Sequence, residues 1–230
     1  MHVVGIDLAW SDRNPSAGCA LDGAGRIVDE TPLGDDDEIL AWIASIAPRV
    51  VAVDAPLLVP NETGMRPCER EIQRVYGGRG GGAHPANRAL LTRTSGRIRG
   101  EDLARRLEGF GGPWDDAEGT LIEVYPHPGM IEVFGLPRRL PYKRVPAAER
   151  PGRLRELRRL LESLTDPPLR GARVPLDGSI RGRRAKAAED RLDARFCAWV
   201  ASVWALHPDR VRLFGDAATG HIAVPRAESP

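Results

Sequence analysis

Five acidic side chains are spaced along the chain in a way that suits cation-assisted chemistry: Asp7, Asp54, Glu123, Asp190 and Asp193. Asp7 stands near the end of the alternating run V-x-G-I-D-L, and Asp54 closes the apolar run RVVAVD. Glu123 follows TLI in a third strand-like run, while Asp190 and Asp193 are three residues apart at the start of a helical pattern, which puts them on one face. Carboxylates gathered at one locus repel and shift one another's pKa, so a sequence that collects four or five of them implies a compensating cation. Ligands that are all oxygen suit Mg²⁺ or Mn²⁺ rather than a thiol-seeking metal. Two such ions, about 3.5 to 4 Å apart, activate a water on one side of a phosphodiester and stabilise the leaving oxygen on the other. On this reading Asp7 is the bridging ligand, Asp54 and Glu123 complete the coordination, and Asp193, with Asp190 beside it, closes the site. Each acid alone also suits a structural role, as a turn anchor, an Asx turn before Pro56, a strand residue or a helix N-terminal acid. Their joint placement carries the functional reading.

The elements that must bring these acids together are legible as α/β. HVVGIDL, AGCAL and GRIVDE read as three short strands of a meander. DDDEILAWIASIA reads as a helix with acids in its first turn and Ile39, Leu40, Ile43 and Ile46 on one face. RVVAVDAPL then fits a buried parallel strand reached by a helical crossover, which places the ends of the first and fourth strands at the same edge. Residues 57–118 lose this regularity and are expected to be an insertion, with the run GGRGGG and a helix near EDLARRLEGF. TLIEVYPHP is expected as a fifth strand interrupted by Pro126 and Pro128, and PGRLRELRRLLESL as an amphipathic helix. AKAAEDRLDARFCAWVASVWALH is the strongest helix, and VRLFGDAATGHIAVP suits a hairpin. The expected whole is one domain spanning 1–230: a mixed five-stranded sheet, three antiparallel strands followed by parallel ones, flanked by helices and ending in the hairpin.

Composition excludes several classes. A hydrophobic fraction of 42% with 28% charged residues is that of a chain able to bury a core, so disorder is not expected. No run approaches the ~20 apolar residues of a membrane span, and the first residues read as a strand rather than a signal peptide, which points to the cytoplasm. Cys19, Cys68 and Cys197 form no C-x-x-C and, with His84 and His127, no zinc spacing. The net charge of +1 conceals a polarity: residues 1–54 hold three Arg against ten acids, −7, and the remainder carries +8. Arg88, Arg93, Arg97 and Arg99, then Arg138, Arg139, Lys143 and Arg144, then Arg181, Arg183, Arg184 and Lys186 form basic stretches of the kind that track phosphates. Nucleic acid is the partner they suggest, and solvated faces are the plainer alternative. Nothing demands a homo-oligomer, although a dimer would suit a junction substrate.

GIDLAW, VDAPLLVPNETGMRPCE, EVYPHP, the pair Tyr142 and Lys143, EDRLDARFCAW and GHIAVP together resemble a bacterial and archaeal family described as predicted RNase H-like nucleases, distantly similar to RuvC-type resolvases. The resemblance covers nearly the whole length. It implies the RNase H-like fold and puts the site acids at Asp7, Asp54, Glu123 and Asp193, with Asp190 as a paired helix acid. It also points to Arg66 and Glu69 in GMRPCE, to His127 and to Lys143; Arg66 and Lys143 would contact phosphate and His127 would lie over the leaving group.

Two readings compete with a nuclease. The actin and sugar-kinase superfamily shares the sheet and an early acid, and GIDLAWSDRNPSAG could serve as its phosphate loop, but such enzymes need two domains for which 230 residues leave little room. The other is a non-catalytic module that binds nucleic acid or protein through its Arg-rich loops, against which the set of acids argues.

Overall fold

The computed structural model describes residues 1–227 apart from positions 12, 94, 95 and 116; residue 12, inside the stretch weighed as a phosphate loop, lies outside the described residues. A meander opens the chain: β1 (His2–Asp7), β2 (Ser16–Asp22) and β3 (Ile27–Leu33), all antiparallel. Helix α1 (Asp36–Ile46) follows, its N-cap Asp35 accepting from the Glu38 amide, and returns the chain to β4 (Val50–Asp54), which pairs parallel with β1. Between β4 and the next long strand lie α2 (Pro67–Tyr76), a 3₁₀ turn at Gly77–Arg79, α3 (Arg88–Leu91), α4 (Arg99–Arg106) and the two-residue β5 (Phe110–Gly111). Then come β6 (Gly119–Glu123), α5 (Pro126–Val133), α6 (Arg150–Glu162), α7 (Gly182–Leu206) and the hairpin β7 (Val211–Asp216) and β8 (Gly220–Pro225). The main sheet has the order β3-β2-β1-β4-β6-β5, with β1, β4, β6 and β5 parallel. It is therefore the expected mixed α/β sheet with one further, very short strand at its edge. Among the described residues, no helix is long and apolar enough to cross a membrane.

Both faces of the sheet are covered, which is why β4 reads as VVAV without alternation. On one face Val3, Cys19, Val50, Ala52 and Ile122 meet Phe196, Trp199 and Val203 of α7, backed by Leu154, Leu157 and Leu161 of α6. On the other, Val4, Ile6, Val51 and Val53 meet Ile39 and Ile43 of α1 and Leu103 of α4. The helix α7 lies against β1 at backbone distance: a Cβ on Gly5 would come 2.0 Å from the Ala198 amide nitrogen and 2.4 Å from the Ala194 carbonyl oxygen. Glycine at position 5 thus decides where α7 can sit, and with it where the α7 acids fall relative to the end of β1. The hairpin packs on α2 through Cys68, Ile72, Phe214 and Ile222, and a bridge between Val124 and Ala223 ties it to the end of β6.

Two sequence expectations need correction. The fifth long strand ends at Glu123 and does not run through YPHP; Pro126 instead takes the first position of α5, where a missing N–H costs nothing and the fixed φ suits a helix. Asp190 and Asp193 are not at the start of the last helix, because α7 begins at Gly182, three residues before the expected AKAAEDRL segment opens, leaving both acids in its interior.

Candidate active site at the carboxyl edge of the sheet

In the parallel ladder Asp7 lies directly opposite Asp54, so both strands end with a carboxylate at the same edge. Among the described residues neither side chain accepts a hydrogen bond or forms an ion pair, although both are half-buried. Burial, with repulsion from Asp193 and Asp54, holds the Asp7 carboxyl well above the usual range. Burial likewise raises Asp54 to about 7, with Asp193 and Glu123 adding to the rise and Lys143 opposing it. A pair of carboxyls in this state retains a proton near neutrality unless positive charge is brought to it.

From α7, Asp193 reaches the same region fully buried. Its Oδ1 accepts from the Tyr142 hydroxyl at 2.6 Å, and Lys143 Nζ lies 2.8 Å from Oδ2. That second contact is an ion pair off the hydrogen-bonding direction, so Oδ2 is a buried oxygen with no directed donor. Burial alone would lower the Lys143 pKa, but Asp193, Tyr142, Asp54 and Asp7 outweigh it and raise the pKa well above the usual lysine range. One turn away from Asp193, Asp190 is paired with Lys186, four residues before it on the same helix. The compensating positive charge that the acid cluster requires is thus supplied, in the chain alone, by Lys143 and Lys186.

Glu123 stands apart from this group. Arg66 forks onto it, Nη1 to Oε2 at 2.8 Å and Nη2 to Oε1 at 2.6 Å, while the Leu57 amide donates to Oε2 at 3.0 Å. The same guanidinium donates through Nε to Glu69 Oε1 at 2.8 Å and through Nη1 to the Leu58 carbonyl at 3.0 Å. The Glu69 carboxylate also accepts from the Arg66 backbone amide at 2.9 Å, satisfying one donor at the start of α2. Burial raises the Glu123 pKa and Arg66 opposes it. The Arg66 side chain, only 1% exposed, is committed to fastening α2 to the end of β6, so the expected phosphate contact is not made available by this arrangement, and Glu123 reaches the site with both oxygens engaged.

Asp7, Asp54, Glu123, Asp190 and Lys143 line one cavity of about 900 Å³, together with residues 83–86 and with Arg183, Lys186 and Ala187 of α7. His127 does not line it: buried in α5 against the rings of Tyr125 and Tyr142, with Nδ1 unpartnered, it is lowered to about 4 by burial and by Lys143. Arg88 donates to the Val59 carbonyl and pairs with Glu101, Arg99 is buried on Asp36, and Arg93 is exposed outside the cavity. The basic segment 88–99 therefore serves the packing of α3 and α4 more than a ligand surface. Two contacts of the acid cluster escaped the sequence reading. The Lys186–Asp190 pairing was signalled by its four-residue helical spacing, whereas the Tyr142 hydroxyl on Asp193 spans 51 residues and had no local signal.

Among the described residues no group of three His, Cys, Asp or Glu is arranged to hold a metal ion. Three of the acids face basic side chains instead: Lys143 stands against Asp193, Lys186 against Asp190 and Arg66 against Glu123. The donor chemistry nevertheless fits a hard divalent cation, since Asp7 and Asp54 are adjacent, unbonded and open to the cavity, and Asp193 adds an undirected oxygen nearby.

These features define a class, an α/β protein with a carboxylate-lined cavity at the carboxyl edge of its parallel strands, where open α/β sheets build their sites. The chain belongs to the family described as "Protein of unknown function (DUF429)", whose model matches residues 5–219 and so takes in every candidate acid. No curated protein and no solved structure matches the chain.

Proposed function

We propose that the protein hydrolyses phosphodiester bonds of nucleic acid with divalent cations, Mg²⁺ or Mn²⁺, held by Asp7, Asp54 and the α7 acids on an RNase H-like domain. The observation that carries this reading is the Asp7–Asp54 pair: two in-register carboxylates with no protein donor on either, open to a cavity deep enough for a substrate. A meander followed by parallel strands, crossed by a long helix bearing two acids, is also the arrangement that the family resemblance implies.

Asp7 and Asp54 would take the cation first, with Asp190 and Asp193 on the facing helix as further ligands. Bound there, the cation would supply water activation and charge stabilisation at the leaving oxygen. The raised pKa of Asp54, about 7, means that binding must displace protons, so affinity rises with pH through neutrality. Lys143 neutralises Asp193 in the cation-free chain and offers an ammonium to a phosphate oxygen that enters beside it. Tyr142 holds Asp193 in a single orientation, and Arg66 positions the β6 edge through Glu123 without touching substrate.

The test is cleavage of end-labelled oligonucleotides by the purified chain in Mg²⁺, in Mn²⁺ and in EDTA, beside Asp7→Asn. The reading expects cleavage with either cation, none in EDTA and none by the variant. Absence of cleavage with both cations across single-stranded, duplex and branched substrates, or undiminished cleavage by Asp7→Asn, overturns it.

A further inference from the structure

Three side chains that line the cavity make no hydrogen bond or ion pair among the described residues. Trp10, 70% exposed, is the most exposed of the described large apolar residues, and it lines the cavity from the segment that follows β1. It is not a loosely held tail: Ala9 beside it is fixed by its amide donating to Ser16 Oγ at 3.1 Å and by its carbonyl accepting from Arg99 Nη1 at 2.9 Å. Arg13, further along the same segment, and Arg183, in the first turn of α7, also line the cavity, and both are exposed. Among the described residues neither guanidinium makes a hydrogen bond or an ion pair. Most arginines with a mapped contact in this chain are engaged by a carboxylate, so two unengaged ones facing a cavity floored by acids lack an internal explanation. The stripe Arg183, Lys186, Ala187 and Asp190 recurs at three- and four-residue intervals, which turns one face of α7 toward the same opening.

An exposed indole that shares a cavity with two uncommitted guanidiniums is a recognition set for an aromatic group carrying phosphates. We infer that this set binds single-stranded nucleic acid, with an unpaired base stacked on Trp10 and the neighbouring phosphates held by Arg13 and Arg183. The inference rests on the proposed hydrolytic site and names its substrate class. A base inside a duplex has its faces covered by its neighbours and cannot stack on Trp10 unless it is unstacked, whereas every base of a single strand presents a free face. Asp7, Asp54 and Asp190 also line this cavity, so the scissile phosphate has to enter it, which a flexible strand does more readily than a stiff duplex.

Binding in EDTA separates this inference from the chemistry. Fluorescence anisotropy is measured with a labelled single-stranded oligonucleotide and with its duplex, for the unmodified chain, Trp10→Ala and Arg13→Gln/Arg183→Gln. The expected result is single-strand binding tighter than duplex binding, weakened by about 5- to 150-fold in Trp10→Ala, the range for loss of one base–aromatic stack. The double arginine variant is expected to reduce the dependence of log affinity on log salt by about 1.4, two phosphates' worth for a single strand. All three positions are exposed, so circular dichroism should report an unchanged fold. Duplex bound as tightly as single strand, or Trp10→Ala binding like the unmodified chain, overturns the inference even if metal-dependent cleavage is found. Binding as expected with no cleavage in either cation sustains it and removes the hydrolytic reading alone.

Discussion

Asp54→Asn should change the pH dependence of stability more than stability itself. In the folded chain the Asp54 carboxyl is raised to about 7, first by burial and then by Asp193 and Glu123, against 3.8 for the ordinary group. The native state therefore binds more protons than the unfolded state between those values, and stability must fall as pH rises through the window. Integrating that difference from about pH 5 to about pH 8 gives a loss of about 2 to 3 kcal/mol assignable to this carboxyl. Asparagine removes it. Asp7 is coupled to Asp54 and loses a repulsive neighbour at the same time, so the measured difference belongs to the pair rather than to one residue. The assay is urea unfolding of both proteins in EDTA at the two pH values, comparing unfolding free energies with the slopes held in common. The unmodified chain should lose about 2 to 3 kcal/mol more than Asp54→Asn on going to the higher pH. Saturating Mg²⁺ should return most of it, about 2.7 kcal/mol at a hundredfold excess over the dissociation constant. A pH dependence that agrees between the two proteins within about 0.5 kcal/mol, the ordinary scatter of such comparisons, refutes the electrostatic account of the Asp7–Asp54 pair.

Gly5→Ala should cost about 3 kcal/mol or prevent folding, because the new methyl meets backbone atoms of α7 that no rotamer change can move; urea unfolding checks it, and a loss below about 1 kcal/mol would contradict the packing. Arg66→Met leaves Glu123 and Glu69 buried without their partner and should cost about 3 to 5 kcal/mol, read by the thermal midpoint. Lys143→Met uncovers the fully buried Asp193; with Lys143 itself 31% exposed the cost should fall at the lower end, about 3 kcal/mol in EDTA, and shrink when divalent cation is added.

Much of the sheet was legible because its signals are local. The three opening strands and the crossover helix were marked by alternation and by turn residues, and β4 by a continuous apolar run between Arg49 and Asp54. The pairing of Asp7 with Asp54 followed, since a right-handed crossover leaves neighbouring parallel strands ending at one edge. What the sequence hid is long-range. Pro126 after Tyr125 fits an interrupted strand as well as a helix start, and only the hairpin strand β8, bridged at Val124 and Ala223, shows that the sheet stops there. Glu123 looked equivalent to the other acids because nothing local reveals that Arg66, 57 residues earlier, forks onto both of its oxygens. Lys143 was assigned to phosphate on the same footing, while the buried Asp193 it neutralises lies on a helix 50 residues away. In the basic segment 88–99 composition is the same whether an arginine meets a ligand or the acids of its own fold, and here Arg88 pairs with Glu101 and Arg99 with Asp36.

Direct counting of bound Mn²⁺ bears most closely on the carboxylate cluster. Titrating Mn²⁺ into metal-free protein while recording the free-ion electron paramagnetic resonance signal gives stoichiometry and affinity without any substrate. The unmodified chain should bind Mn²⁺ more tightly at about pH 8 than at about pH 6, because bound protons must leave first, and Asp7→Asn and Asp54→Asn should each lose the site while remaining folded. Binding that is absent at every pH, or that survives both substitutions unchanged, would contradict the assignment of these acids as a cation site.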